Sequence, residues 1–146
     1  MGYVRITDRP EELFHYTRRD NLASILRDGR IKRMGDAECW FCSTLDDTLE
    51  LMRATVMVEG KPYVKLGGSI GRYPKFQPED YVILRLKPRY QNGEWVRWMQ
   101  EMPPGTPPEL LKAAENFSNL KLGFRGDLKF WPEPEIIEVK ALLAPE

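Results

Sequence analysis

Few residues in this chain carry reactive chemistry. His15 is the only histidine, and Cys39 and Cys42 are the only cysteines, set three apart as Cys39-Trp40-Phe41-Cys42 with Ser43 and Thr44 directly after. Towards the other end, Glu133-Pro134-Glu135 places two carboxylates two positions apart. A Cys-x-x-Cys works as a dithiol redox centre when it opens a helix after a strand, because the helix N-terminus lowers the pKa of the first thiol. Here the preceding segment, 32–38, is polar, and Phe41 stands where proline is usual, so the context argues against redox chemistry. Zinc needs further ligands than one histidine and two cysteines supply, so no metal site is expected. Gly67-Gly68-Ser69-Ile70-Gly71 lacks the strand-to-helix setting and the Gly-Lys-Ser/Thr of a phosphate loop, and reads as flexible chain.

The elements that must position these residues can be read from pattern. Glu12 to Tyr16 suits a strand, and Thr17-Arg18-Arg19-Asp20 has the form of a capping box, which predicts a helix over about 18–28. Leu22, Ile25 and Leu26 fall at helical spacing, and Gly29 supplies a left-handed C-terminal stop. Cys39 to Thr44 reads as a buried strand, and Thr44 or Asp46 can cap a second helix carrying Leu45, Leu49, Met52 and Val56 on one side. The stretch 59–78 shows no sustained period and reads as a loop, with a short strand at 63–66. Tyr81 to Leu86 is the clearest strand, with Val82, Leu84 and Leu86 on one face and Arg85 on the other. Pro108 heads a short helix over 109–117, 120–131 reads as strand and turn around Gly123 and Gly126, and 135–143 reads as a closing strand.

At 146 residues the chain is the size of one domain, and its 42% hydrophobic content is that of a globular protein. Lysine plus arginine equal aspartate plus glutamate at 22 each, so there is no global attraction to nucleic acid or anionic membrane, and a charged partner must be met locally. No apolar run approaches the length of a membrane span and no charged-then-apolar leader opens the chain, so no membrane partner is expected. Two cysteines are too few for a secreted disulfide scaffold, which makes a reducing compartment such as the cytoplasm the expectation.

Leu13-Phe14-His15-Tyr16-Thr17, followed by Asn21 to Ile31 with its glycine at position 29, resembles the opening of bacterial and phage ADP-ribosyltransferase-fold proteins. Cys42-Ser43-Thr44 looks like the second family strand, and Glu133-Pro134-Glu135 resembles the terminal Glu-x-Glu. The resemblance implies an α+β fold with a split, mostly antiparallel sheet, NAD as substrate, and a macromolecular acceptor, protein or nucleic acid. It gives His15 the adenosine-side ribose, backbone groups near Tyr16 the nicotinamide amide, and Thr17, Ser43 and Thr44 places around the pocket. Nicotinamide leaves as a neutral molecule, so one ionised glutamate near the ribose can suffice to stabilise an oxocarbenium-like centre. Strand alternation puts Glu133 and Glu135 on the side of Ile137 and Val139, which favours Glu135 first and Glu133 second as the catalytic carboxylate. The histidine opening combined with Ser-Thr and Glu-x-Glu mixes two clade signatures, which leaves the target class open.

Two other readings stand beside this one. The same fold can serve as a non-catalytic binding or inhibitor module of a phage or mobile element. The cluster Arg85, Lys87, Arg89, Tyr90, Trp95, Arg97 and Trp98 is either a surface for a nucleic-acid or protein target or a solvated strand edge over core tryptophans.

Overall fold

The strongest apolar run, Tyr-Val-Ile-Leu-Arg-Leu, forms a strand buried on both faces, and the fold is organised around it. In a computed structural model that describes residues 2–6, 10–32, 38–60, 62–89, 91, 93–99 and 103–143, this is strand β7 of an α+β protein. The elements in chain order are β1 (Gly2–Ile6), β2 (Leu13–Arg18), α1 (Leu22–Asp28), β3 (Arg30–Ile31), β4 (Glu38–Phe41), α2 (Leu45–Thr55), β5 (Pro62–Val64), β6 (Ile70–Arg72), β7 (Tyr81–Leu86), β8 (Trp95–Met99), α3 (Pro108–Leu120), β9 (Leu122–Arg125), β10 (Leu128–Lys129), β11 (Glu135–Glu138) and α4 (Val139–Leu143). Among the described residues every strand pairing is antiparallel.

Two sheets carry most of the structure. One has the order β1-β8-β9-β4 and the other β11-β7-β2. Among the described residues one backbone pair joins them, Phe14 with Cys42, whose two N–H···O bonds are each 2.8 Å long. Val82, Leu84 and Leu86 of β7 join Leu13, Phe41, Leu122 and Phe124 in one core, over which Leu22 and Ile25 of α1 pack. Ile83, facing the other way, joins Phe14, Met52 and Val139 in a second core under α2 and α4. Each such fully buried side chain contributes about 1.5–3 kcal/mol, so both faces of β7 are fixed by burial.

Several expectations are corrected. The first helix starts at Leu22 and not at 18, because Thr17 and Arg18 are held in the ladder by Val82 and Tyr81. Thr17 is no helix cap: its hydroxyl accepts from Asn21 Nδ2 at 3.2 Å. Gly29 ends α1 in the left-handed conformation as expected, at φ 64°. The stretch after Glu138 is the short helix α4, where a continued strand was expected, and the loop over 59–78 contains the hairpin β5–β6. Strands β1 and β8, absent from the sequence reading, pair along five residues. No helix among the described residues is long and apolar enough to cross a membrane.

Candidate functional site

Beyond the Phe14–Cys42 backbone pair the two strands part, and the main cavity lies where they do. In an antiparallel ladder alternate residues direct their backbone groups at the same neighbour, so after Phe14–Cys42 the next bonded pair would be Tyr16 with Trp40. The strands diverge instead. His15 Nδ1 lies 3.0 Å from the Trp40 carbonyl oxygen and takes the bond the ladder gives up. A carbonyl can only accept, so Nδ1 carries the proton and Nε2 of the neutral ring is left as an acceptor. Burial lowers the His15 pKa and the bond to Trp40 partly offsets this, so the ring is held neutral.

The wedge between β2 and β4 is a cavity of about 360 Å³, within the range typical of small-molecule sites. Phe14 to Thr17 form one wall, Cys39 to Cys42 the other, and Leu51, Thr55 and Lys121 close the end. The Trp40 indole lies over Gly123, where an added Cβ would come within 2.9 Å of the ring, and the Lys121 ammonium sits 4.9 Å from the ring centroid. Tyr16 Oη is 3.0 Å from Thr55 Oγ1. Thr55 spends its own proton on the Leu51 carbonyl at 2.7 Å, so the tyrosine donates. Burial raises the Tyr16 pKa and keeps the phenol protonated.

A second compartment of about 240 Å³ shares His15, Thr17, Ile31 and Lys32 with the first, and Asn21, Ser24, Asp28 and Arg30 line its far side. Asp28 is held below the usual carboxylate range by Lys32, 3.0 Å away, and by Arg27. The cleft therefore offers the half-buried Trp40 indole with Lys121 beside it, an imidazole acceptor, outward-directed backbone groups at Tyr16, and Lys32 in its pair with Asp28. That set suits a planar ring joined to an anionic, hydroxyl-bearing chain.

The structure brings together some of the residues singled out in the sequence and separates others. His15, Tyr16 and Thr17 line the cleft. Ser43 and Thr44 are exposed and line neither compartment, because the chain leaves β4 there and Thr44 accepts from Asp47 N at 3.0 Å as the cap of α2. Glu133 and Glu135 are exposed and line a different depression of about 220 Å³ with Glu12, Arg85 and Lys87. Glu135 is opposite Arg85, which is opposite Phe14, so Glu135 and His15 belong to opposite faces of that sheet. Glu138 does share the His15 face, but it is paired with Arg19, which lowers its pKa.

Cys39 and Cys42 are buried free thiols. Three steps along extended chain separate them by about 10 Å, too far for a disulfide. Cys39 Sγ lies 3.2 Å from both the Ile31 and the Gly126 carbonyl oxygens, to one of which its single S–H donates, and burial pushes the Cys42 thiol up to about 11. Neither suits dithiol chemistry. No group of three or more metal-ligating side chains occurs among the described residues. Trp40, Lys121 and Lys32 were missed as site residues. The Trp40–Gly123 pairing that seats the indole joins positions 83 apart, and no local pattern announces it.

Comparison with family models, with curated proteins and with solved structures finds no match to this chain.

Proposed function

We propose that this chain is an ADP-ribosyltransferase-like domain that takes up NAD in the cleft between β2 and β4 and passes ADP-ribose to a macromolecular acceptor, a protein or a nucleic acid. The observation that carries this reading is the split of the sheet beside His15, which turns the residues of the Phe-His-Tyr-Thr string into the wall of a cavity. On this reading His15 Nε2 accepts from a ribose hydroxyl and the Tyr16 backbone holds the nicotinamide amide. The Trp40 indole borders the site and holds Lys121 beside it, and Lys32 and Lys121 face the pyrophosphate. Transfer breaks the bond between ribose and the nicotinamide nitrogen, releases neutral nicotinamide, and joins the ribose carbon to the acceptor's nucleophilic atom, whose proton is lost to solvent.

One observation favours a second reading, a binding or inhibitor module on the same fold without turnover. Asp28 is the only carboxylate among the described residues lining the two compartments, and it is already paired with Lys32, while Glu133 and Glu135 face elsewhere. Incubation with labelled NAD and cell lysate separates the two. Label on an acceptor, lost in Glu135→Gln or Glu133→Gln, supports transfer with the carboxylates named from the sequence. NAD binding with no label transferred supports the binding module, and absence of NAD binding removes transfer and leaves the binding module with its pocket given to another ligand.

A further inference from the structure

Among the described residues the most exposed aliphatic side chains are gathered on one small element outside the cleft. In the hairpin β5–β6, Val64 is 74% exposed, Leu66 103% and Ile70 72%. Val64 and Ile70 are cross-strand partners, so they stand on the same face, and Leu66 lies at the apex. The apex is held by bonds from Gly68 N to Lys65 O at 3.0 Å and from Lys65 N to Ser69 O at 2.8 Å, and Gly67 at φ 95° takes the turn position that a side chain disfavours. Among the described residues the hairpin strands pair only with each other. A cluster of this kind is not kept in water by packing, and exposed apolar patches mark interaction sites.

Charge selects the partner. From 60 to 78 the sequence carries Lys61, Lys65, Arg72 and Lys75 and no aspartate or glutamate, although the whole chain is neutral. Cations flanking an aliphatic tip fit a surface that is anionic outside and hydrocarbon within. From the Val64–Ile70 pair to the apex is two to three residues, roughly 7–10 Å, which matches the depth of about 5–10 Å at which interfacial elements lie in a bilayer. Strands of three residues offer few ladder bonds to an added protein strand.

We propose that the β5–β6 hairpin is a membrane-surface anchor: Val64, Leu66 and Ile70 enter the acyl boundary of an anionic bilayer while Lys65 and Arg72 meet the headgroups. This is independent of what the cleft binds.

Co-sedimentation of the full chain with phosphatidylcholine vesicles, with and without phosphatidylserine, tests it. The protein should sediment with the serine-containing vesicles, and added salt should release it. Leu66→Asp should weaken partitioning by about tenfold or more, from the loss of one buried aliphatic side chain. Lys65→Glu and Arg72→Glu should each weaken it by about fivefold or more. Circular dichroism of each variant, expected to match wild type because the hairpin projects from the cores, establishes that the losses are not unfolding. Failure to sediment with either vesicle overturns the proposal, as does sedimentation that Leu66→Asp leaves unchanged. Binding to a single-stranded oligonucleotide that Lys65→Glu abolishes and Leu66→Asp spares would also overturn it, assigning the cations to nucleic acid.

Discussion

Substituting Gly123 by alanine tests whether Trp40 is fixed on the cleft wall. Gly123 is opposite Trp40 in the β4–β9 ladder, and the new Cβ would lie 2.9, 3.1 and 3.2 Å from three atoms of the indole. Carbon pairs prefer roughly 3.5–4.0 Å, so the ring must move by about half an ångström or more. Two effects oppose each other. Gly123 is not in the left-handed region, so alanine fits the backbone and by itself stabilises by about 0.4–1 kcal/mol through the unfolded chain. Overpacking costs about 1–3 kcal/mol. Trp40 is held by β-pairing behind it, by the His15 bond to its carbonyl, and by Lys121 over its ring, so the clash outweighs the gain. The net loss is about 1–2 kcal/mol, and at roughly 2–4 °C per kcal/mol for a chain of this size Tm falls by about 2–8 °C. Thermal unfolding should be followed for wild type, Gly123→Ala, Trp40→Leu and the double variant. In the Trp40→Leu background the added methyl meets no indole, and the same substitution should be neutral or stabilising. An equal loss of Tm in both backgrounds would refute the claim that the indole lies against Gly123.

Three further outcomes follow from the same geometry. The folded pKa of His15 is lowered below its ordinary value near 6.5, so the unfolded chain binds more protons in acid; its contribution to stability is fully present above about pH 6.5 and is lost as pH falls towards the folded value. Asp28 and Glu138, also lowered, act mainly below about pH 5, so urea unfolding between about pH 7 and pH 5.5 should show a slope that His15→Asn flattens. A slope unchanged in that variant would contradict the burial of a neutral ring. Tyr16→Phe should cost about 1 kcal/mol in chemical denaturation, since Thr55 keeps its bond to Leu51 and loses only the incoming phenol; no loss would mean that the Tyr16–Thr55 bond is not made. With its pKa at about 11, Cys42 in the native protein should react with a thiol reagent at pH 8 roughly two orders of magnitude more slowly than free cysteine, and at the free rate once unfolded in urea. Fast native labelling of Cys42 would show that the thiol is not desolvated.

The parts of the fold legible in the sequence were those decided within one element. Tyr81–Leu86 shows its strand because its apolar residues are contiguous, α2 because Thr44 caps a helical stripe, and the end of α1 because glycine takes the left-handed turn. Where tertiary pairing competes with a local signal, the signal fails. Thr17-Arg18-Arg19-Asp20 is a good capping box, yet its first two residues complete six ladder pairs with β7, and the helix waits until Leu22. Strand alternation gave Glu135 the face of Ile137, and the register gives both that face, since Glu135 and Ile137 pair with Arg85 and Ile83. What alternation could not tell is that His15 takes the opposite face two strands away. The cleft itself depends on where one ladder stops pairing with another, which is a property of Phe14 and Cys42 together and of neither segment alone.

The most direct test of the account is equilibrium binding of NAD to the purified chain, read as heat of titration and as thermal stabilisation. At about 100 times the dissociation constant, NAD should add about 2.7 kcal/mol of apparent stability. Lys121→Glu, which reverses the charge beside Trp40, should lose most of that gain, and Glu135→Gln, outside the cleft, should keep it. No stabilisation by saturating NAD, or a gain that Lys121→Glu leaves intact, would contradict the assignment of the cleft to NAD.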